Sequence, residues 1–323
     1  MRVFVTGGAG YIGSVVAAYL IDHGHEVTTF DNLSNGNMSS VDKRSHFITG
    51  DILNLNELKK AMVHSEAVVH LAGKISVEES VENPEVYLQN NFEGTKNVLN
   101  VMETLNIRKF IFSSTCAVYG EVQNIKINEL TNTFPINPYG KSKLLADKEI
   151  SHRSSLRKID AVSFRFFNAS GAYKSKEGIL YGELHKVESH LIPKILQNKT
   201  IDINGSDYPT FDGTCVRDFI HVADIANAIE KALHLDTNGF HKIYNLGSEK
   251  GYSILEIVEC IEEIIGSEIK RNYLDRRIGD SAILISDNSL VERDLEWKPS
   301  HNLYQIIQSA IDFHEVGNWK RND

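Results

Sequence analysis

The 323 residues are 41% hydrophobic and 24% charged, which is ordinary for a globular protein and sufficient for one large core or two unequal lobes. The formal charge of −9 excludes a broad basic face, so we expect no nucleic acid and no anionic membrane surface as partner. The longest apolar stretch, 15–21, is too short to cross a bilayer, and the three distant cysteines predict neither a disulfide framework nor a cysteine zinc site.

Short apolar runs alternate with helical patterns through the first half of the chain. Each run is bounded by turn residues or charges, as expected for parallel strands buried on both faces by crossover helices. The predicted strands are Val3–Thr6, Glu26–Phe30, His46–Thr49, Ala67–Leu71, Lys109–Ser113 and Ala161–Arg165. This order predicts an α/β fold with a doubly wound parallel sheet of the Rossmann type.

The sequence predicts four helices whose starts or ends can be named. Apolar spacing indicates a helix over Pro84–Leu105, and Pro138 stands where a second helix could begin. Beyond about Arg165 the alternation weakens, but Val222–Leu235 is amphipathic. A capping box formed by Ser253 and Glu256 opens a helix that ends at Gly266.

A glycine-rich turn directly follows the first predicted strand. Its sequence, Gly7-Gly8-Ala9-Gly10-Tyr11-Ile12-Gly13, opens a helix, where a dinucleotide pyrophosphate can lie against backbone N–H groups. Asp31 ends the second strand at the spacing from which a carboxylate accepts from a ribose 2′-hydroxyl and repels a 2′-phosphate, so NAD is favoured over NADP. Asp51, after the third strand, could accept from the adenine amino group. Simple turn or cap roles are the alternatives for each of these residues.

Tyr139 and Lys143 stand four residues apart on the helix predicted to begin at Pro138, so both project from one face. A free tyrosine has a pKa near 10, so a phenol that acts as a base near pH 7 needs a lowered pKa. Lys143 and the positive nicotinamide ring of NAD could supply that effect together. An accidental Tyr-x-x-x-Lys spacing is the alternative.

The residues described so far match a known family. The glycine turn, Asp31, Ser113-Ser114-Thr115, Tyr139 and Lys143 resemble the extended short-chain dehydrogenase/reductase family. Within it the chain resembles the nucleotide-sugar 4-epimerases over nearly its whole length. The most specific match is the segment from Asp207 to Asp218. The resemblance implies an NAD-dependent isomerase that inverts C4 of a UDP-hexose through a transient 4-keto intermediate.

The resemblance also implies roles for individual residues. Tyr139 would be the base, Lys143 would tune it and hold the nicotinamide ribose, and Thr115 would bridge the sugar 4-hydroxyl to the phenol. The residues implied to contact NAD are Gly7, Gly10, Tyr11, Ile12, Gly13, Asp31, Asn32, Asn35, Asp51, Ile52, Leu71, Ala72, Gly73, Lys74, Asn91, Ser113, Tyr139, Lys143 and Phe167. Those implied to contact the UDP-sugar substrate are Thr115, Asn168, His190, Leu191, Arg217, Arg277 and Asp280.

Several positions differ from the family pattern or admit another interpretation. Lys74 stands one place before a lysine often found near the cofactor, and His190 replaces an asparagine that commonly contacts substrate. Leu284 falls where residue size is associated with the C2 substituent, and leucine leaves hydroxyl and N-acetyl groups both open. Asn91 is expected to face the cofactor because a buried amide without partners is costly, although a helix-packing role is the alternative.

Three other functions compete with epimerisation at C4. A nucleotide-sugar 4,6-dehydratase would need an acid and a base where this chain has Cys116 and Ala117, so it is disfavoured. A UDP-glucuronate epimerase or decarboxylase shares the oxidation step, but no group for the C6 carboxylate can be identified. A non-enzymatic dinucleotide sensor would not need Tyr139, Lys143 and Thr115.

Further expectations concern organisation and partners. We expect an NAD-binding Rossmann domain over 1–165 and a smaller mixed α/β, mainly substrate-binding domain over 166–323, with some segments returning to the first domain. The resemblance implies a homodimer through the helices Pro84–Leu105 and Pro138–Ile150. The absence of a signal-peptide pattern after Met1 and the distant cysteines favour the cytoplasm. The thirteen histidines show neither HExxH nor Cys/His ligand spacing, so no metal is predicted.

Overall fold

The computed structural model describes residues 1–122, 126–184, 190–277 and 280–316. The chain divides into two units, each assembled from three separated segments. Unit 1 comprises Met1–Gly120, Asn132–Phe166 and Ala226–Tyr244. Unit 2 comprises Glu121–Thr131, Phe167–Ile225 and Asn245–Asp323.

The strands and helices are numbered in chain order. The strands are β1 Arg2–Thr6, β2 Glu26–Asp31, β3 His46–Thr49, β4 Ala67–His70, β5 Lys109–Thr115, β6 Lys126–Ile127, β7 Asp160–Phe166, β8 Asn168–Ser170, β9 Tyr173–Lys174, β10 Leu180–Tyr181, β11 Thr200–Asn204, β12 Val216–His221, β13 Lys242–Leu246, β14 Gly251–Ser253, β15 Lys270–Leu274 and β16 Ile283–Ser286. The α-helices are α1 Tyr11–Asp22, α2 Leu55–Met62, α3 Val77–Glu82, α4 Pro84–Tyr87, α5 Gly94–Leu105, α6 Pro138–Ser155, α7 Leu191–Asn198, α8 Val222–His234, α9 Ile254–Ile265, α10 Ser289–Leu295 and α11 Leu303–Glu315. Within the described ranges, none of them has the length and apolar character needed to span a membrane.

A seven-stranded sheet with the order β13-β7-β5-β4-β1-β2-β3 contains all six predicted strands. Those six pair in parallel, and the interior strand β1 places Val5 beside Thr29 on β2 and Val69 on β4. The predicted Rossmann-type α/β fold is therefore confirmed. The strand order reverses direction between β1 and β4, and the carboxyl ends of strands at such a point are where ligands bind in open α/β sheets.

The core of unit 1 forms where apolar strand residues meet the crossover helices. Phe4 and Phe110 from the sheet pack with Leu58 of α2 and Leu99 of α5, and all four are fully buried. Val3 and Val5, whose side chains alternate with that of Phe4 along β1, are buried as well, so both faces of the strand are removed from water and the sequence shows a short continuous apolar run instead of alternation.

The predicted helix over Pro84–Leu105 is interrupted by one feature that periodicity did not predict. α4 leads into a π-helical turn at Leu88–Glu93, and α5 follows directly. A π turn inserts an extra residue into the helical ladder and is frequent at functional sites. Here it contains Asn91, which is buried among polar partners.

Unit 2 has a five-stranded sheet with the path β14-β12-β16-β6, and β8 pairs with β12 in addition. A second core packs α7, α9 and α11 through residues such as Ile195, Ile257 and Ile307. The capping box of Ser253 and Glu256 opens α9, and Gly266 ends it with a φ of 65°, so both predictions are confirmed.

Asp218 on β12 organises unit 2 in a way that the sequence analysis missed. Its buried carboxylate accepts from the backbone N–H and hydroxyl of Ser248 at 2.6 and 2.8 Å, and from those of Ser286 at 3.0 and 2.7 Å. A side chain at Gly247 would overlap this carboxylate. The acid therefore joins β12 to the loop that contains Ser248 and to the end of β16, and its role is structural.

Two histidines of unit 1, buried His70 and partly buried His241, predict acid sensitivity. Burial lowers the pKa of His70, which is hydrogen-bonded to Thr6 and Thr95, to about 3, and burial lowers the pKa of His241 to about 4. The unfolded chain, with histidine pKa near 6.5, therefore binds more protons than the folded chain below that pH. Stability should be fully present above pH 6.5 and fall as the pH drops towards 4. The urea midpoint between pH 7 and 4.5 checks this, and His70→Leu should flatten the slope whereas exposed His152→Gln should not.

Candidate active site

The glycine turn of unit 1 forms a cradle that only glycine can make. Gly7 has a φ of 70°, and a Cβ there would overlap the backbone of Ala72 at the end of β4. A Cβ on Gly13 would overlap the carbonyl oxygen of Gly7. α1 begins after Gly10 with no side-chain cap and no acidic residue in its first turn. This positive helix end therefore fits a dinucleotide pyrophosphate.

Asp31 lies beside this cradle at the carboxyl end of β2. Its carboxylate accepts from the backbone N–H of Ala9 at 3.0 Å and of Leu33 at 2.8 Å, and only 8% of the residue is exposed. The acid is thereby fixed next to the glycine turn, as binding of a ribose hydroxyl requires. The Asn32 amide donates to Asp51 at 2.9 Å, so the structure brings these residues together at the ends of β2 and β3.

The remaining residues predicted to contact NAD differ in their exposure to solvent. Asn35 is exposed, whereas Ile52 is buried. A side chain at the position of Gly94 would overlap the side chain of Ile52. The others that have not been described yet are partly buried and lie at the start of α1 or after β4. They are Tyr11, Ile12, Leu71, Ala72, Gly73 and Lys74.

Asn91 holds two parts of the site together. Its amide oxygen accepts from the backbone N–H of Lys74 at 2.8 Å, and its Nδ2 donates to the Lys74 carbonyl at 3.0 Å and to the Ser142 hydroxyl at 3.1 Å. Both amide hydrogens are therefore used within the protein. The residue fixes the segment after β4 to α6, which corresponds to the packing alternative, and a direct contact with NAD stays a prediction.

Tyr139 and Thr115 meet where β5 ends and α6 begins. The Asn137 side chain caps α6 by accepting from Gly140 N–H at 2.8 Å, and this cap places Tyr139 in the first turn. The side chains of Tyr139 and Thr115 are hydrogen-bonded to each other. A side chain at Gly140 would crowd the carbonyl of Ala117, so the glycine allows α6 to approach the turn after β5.

The titration of Tyr139 differs from the sequence-based prediction. Burial raises the pKa of this phenol to about 12, although the hydrogen bond with Thr115 opposes the rise. The Lys143 ammonium donates to the Ser113 carbonyl at 2.8 Å and, more distantly, to the Ser113 hydroxyl at 3.4 Å. The prediction of a lowered phenol pKa is therefore not met by the protein groups alone, because burial outweighs the favourable contacts.

Lys143 is itself a buried cation. Only 3% of the residue is exposed, its Nζ lies 4.8 Å from the centroid of the Phe112 ring, and burial lowers its pKa to about 8. A Cβ on Gly73 would lie 3.1 Å from the same Nζ, so the segment after β4 passes close to the ammonium. The structure thus brings together Gly73, Ser113 and Lys143, as predicted for one wall of a cofactor site.

Two supporting acids were missed by the sequence analysis. Buried Asp147 accepts from the Ser114 hydroxyl at 2.9 Å and raises the pKa of Lys143, although burial has the larger, opposite effect. Glu79 accepts from the hydroxyl of Tyr87 at 2.7 Å and pairs with the Lys74 ammonium at 3.1 Å. The sequence spacing of these residues does not predict the contacts, because the contacts form only in the folded chain.

Unit 2 contains the residues predicted to bind the nucleotide part of a substrate. Arg217 on β12 forms an ion pair with Asp280 at 3.2 Å and donates to the carbonyl of Ser281 at 2.8 Å. Leu284 on β16 is the strand partner of Arg217. Arg217 and Asp280, each of which is predicted to contact the substrate, are thus paired with each other. Leu284 lies beside Arg217 on the neighbouring strand.

The other predicted substrate residues of unit 2 are less closely grouped. His190 precedes α7 and pairs with Glu183 at 2.9 Å, and this carboxylate raises the pKa of the imidazole. Leu191 begins α7, and Arg277 is exposed. Asn168 begins β8 next to buried Phe167, whose N–H donates to the Leu246 carbonyl at 3.0 Å.

The glycine cradle, the acid at the end of β2 and the Tyr–Lys helix define a dinucleotide-dependent enzyme on a Rossmann-type sheet. The pattern of the NAD dependent epimerase/dehydratase family matches residues 3–247. The chain belongs to this family.

Similar proteins with the same architecture agree with this assignment. A UDP-glucose 4-epimerase from Corynebacterium glutamicum is 41% identical over 97% of this chain and 95% of its own length. A UDP-glucose 4-epimerase structure from Stenotrophomonas maltophila, with bound NAD and formylated UDP-arabinopyranose, is 33% identical, covers 98% of both chains and has a TM-score of 0.93. One from Brucella ovis in complex with NAD is 38% identical, covers 96% of this chain and 97% of its own, and has a TM-score of 0.91.

Proposed function

We propose that this protein is an NAD-dependent isomerase that inverts C4 of a UDP-hexose through a transient 4-keto intermediate. The observation that carries the proposal is the convergence of the Thr115 hydroxyl, the Tyr139 phenol and the Lys143 ammonium around the carboxyl end of β5. The carboxyl ends of β5 and β1 lie at the same end of the sheet with β4 between them, so these groups and the glycine cradle are on the side where a dinucleotide fits.

Each group has a defined task in the proposed reaction. Tyr139 takes the proton from the sugar 4-hydroxyl and later returns it, and Thr115 hydrogen-bonds both the phenol and that hydroxyl. Lys143 supplies positive charge near the reacting oxygen from a buried position where charge acts strongly. Bound NAD supplies the hydride acceptor and, after the keto sugar has turned over, the hydride donor. The hydrogen bond between Thr115 and Tyr139 supports this assignment.

The nucleotide end of the substrate is assigned to unit 2. Arg217 and Arg277 would bind the diphosphate, for which the planar guanidinium is suited. Arg217 is paired with Asp280 in the protein, so the diphosphate would exchange with the carboxylate, leaving Asp280 to accept from a ribose hydroxyl. Asn168, His190 and Leu191 would complete the contacts to the UDP-sugar. The physiological pair is UDP-glucose and UDP-galactose, as in galactose metabolism, and the N-acetylated pair is the extension to test.

Partner and compartment form part of the same proposal. We infer a homodimer in the cytoplasm, with the helices of Pro84–Leu105 and α6 at the interface. Val86 on α4 and Leu88 on the π turn are more than 40% exposed, as is Val81 on the preceding helix α3. Apolar groups exposed together in this way are typical of interfaces between subunits.

The experiment that tests the proposal offers three substrates separately. UDP-glucose, UDP-N-acetylglucosamine and UDP-glucuronate are incubated with the purified protein, and NMR identifies the C4 configuration of each product. We expect UDP-galactose from UDP-glucose without net consumption of NAD. A product only from UDP-glucuronate, or accumulation of NADH in step with product, would contradict epimerisation of a neutral hexose.

A further inference from the structure

Three side chains of unit 1 that the reaction does not use form a cluster at the opposite edge of the sheet. His25 immediately precedes β2, and Glu230 and His234 stand four residues apart on α8. The amino ends of parallel strands face away from the carboxyl ends, where Asp31 and Thr115 lie. Any ligand of this cluster is therefore remote from the groups proposed to act in catalysis.

The spacing of the three side chains resembles a set of metal ligands. His234 Nε2 lies 3.4 Å from Glu230 Oε1, and His25 Nε2 lies 3.8 Å from the same oxygen. One ligand atom from each residue can be chosen so that all lie within 4.8 Å of one another. Tetrahedral zinc with bonds of about 2.0–2.1 Å holds its ligands roughly 3.4 Å apart, so one pair already has that separation. The His25–Glu230 pair needs to close by about 0.4 Å, and the two histidine nitrogens by at most about 1.4 Å.

The burial of the ligands is suited to a site with one open position. The side chain of His25 is 5% exposed, that of Glu230 is 21% exposed and that of His234 is 60% exposed. His234 at the end of α8 can rotate towards an ion, whereas His25 is held in place by its backbone bond to the Leu20 carbonyl at 3.0 Å. Water would occupy the remaining position at the exposed side.

His25 provides a second observation that points to a ligand. Among the described residues its buried Nδ1 has no hydrogen-bond partner, and its Nε2 is 3.8 Å from Glu230, beyond ordinary hydrogen-bond length. A buried imidazole that lacks protein partners is costly, and an ion bound at Nε2, the nitrogen 3.8 Å from Glu230, would supply one of the two missing partners.

We propose that His25, Glu230 and His234 form a binding site for a divalent transition-metal ion of the zinc type. Two imidazoles and one carboxylate are a known ligand set for zinc. The ion would join the segment before β2 to α8 and stabilise unit 1 without taking part in the reaction. The sequence analysis predicted no metal because the histidine that completes the set is distant in the chain from the Glu-x-x-x-His pair.

The test measures zinc binding to tag-free, chelator-treated protein by equilibrium dialysis. We expect one zinc ion per chain, bound at least about tenfold more weakly by His25→Gln and by His234→Gln, since loss of a ligand costs more than loss of a supporting contact. His64→Gln, which removes an exposed histidine outside the cluster, is the matched control and should bind as the original protein does. Zinc in hundredfold excess over its Kd should raise the melting temperature by about 5 °C.

Two outcomes would overturn the proposal. One is equal zinc affinity in the original protein, His25→Gln and His234→Gln. The other is a thiolate charge-transfer band when cobalt(II) replaces zinc, since it would place the ion on cysteines. Because His234 is exposed, the His234→Gln variant tests the site even if His25→Gln, a change at a buried position, fails to fold. Epimerase turnover should persist in His234→Gln, so failure of the metal site and failure of the proposed function are distinguishable.

Discussion

Tyr139→Phe should reduce turnover by about 10³-fold or more while leaving bound NAD in place. The change removes one oxygen atom, the atom proposed to take and return the C4 hydroxyl proton, and positioned acid–base groups contribute about 10²–10⁴-fold. The ring itself stays, with its edge-to-face contact with Tyr87 at 6.4 Å between centroids. Turnover is measured by NMR with UDP-glucose, and NAD content by absorbance of acid-extracted protein.

Tyr87→Phe is the matched control for this prediction. It removes the hydroxyl of the neighbouring tyrosine, which donates to Glu79 instead of facing Thr115. We expect turnover to change by less than about tenfold and stability to fall by about 1 kcal/mol, the usual effect of one lost hydrogen bond. Retention of more than a tenth of the activity by Tyr139→Phe, or equal losses in the two variants, would contradict the role given to Tyr139.

The sheet and the cofactor cradle could be predicted from the sequence because their signals are local. A short apolar run such as Val3–Thr6 has few alternatives to a buried strand, and β1 is observed at Arg2–Thr6. Gly13 is required by an overlap within the turn itself, and Gly7 by its positive φ. The need for glycine at these positions therefore follows from the conformation of the turn.

The partners of polar side chains could not be predicted in the same way. Asn91 bonds to Lys74 and Ser142, and Arg217 bonds to Asp280, through contacts between residues far apart in sequence. The π turn that contains Asn91 leaves the apolar spacing of a helix nearly unchanged, so periodicity does not detect it. The raised pKa of Tyr139 has the same origin, because burial of the phenol is a property of the assembled unit.

The opposing demands of stability and of the proposed catalytic role of Lys143 lead to the second large prediction. Lys143→Met should lower turnover by about 10²–10³-fold, since it removes the buried positive charge beside the reacting groups. Stability at pH 7 should stay equal or rise. Burial lowers the pKa of Lys143 to about 8, which corresponds to a cost of roughly 3 kcal/mol for the charged form, partly offset by its bonds to Ser113.

The direction in which stability changes with pH distinguishes the cost of the buried charge on Lys143 from a simple packing effect. A lysine whose pKa is near 8 in the folded chain and about 10.4 in the unfolded chain binds more protons when unfolded between these values. Its destabilising effect is therefore complete below pH 8 and disappears as the pH rises towards 10.4. Urea midpoints of the original protein should rise relative to those of Lys143→Met across this window. Lys141→Met, on an exposed position of the same helix, should change neither turnover nor the slope. If the urea midpoints of the original protein and of Lys143→Met change with pH in parallel, the buried ammonium is not the source of the loss in stability.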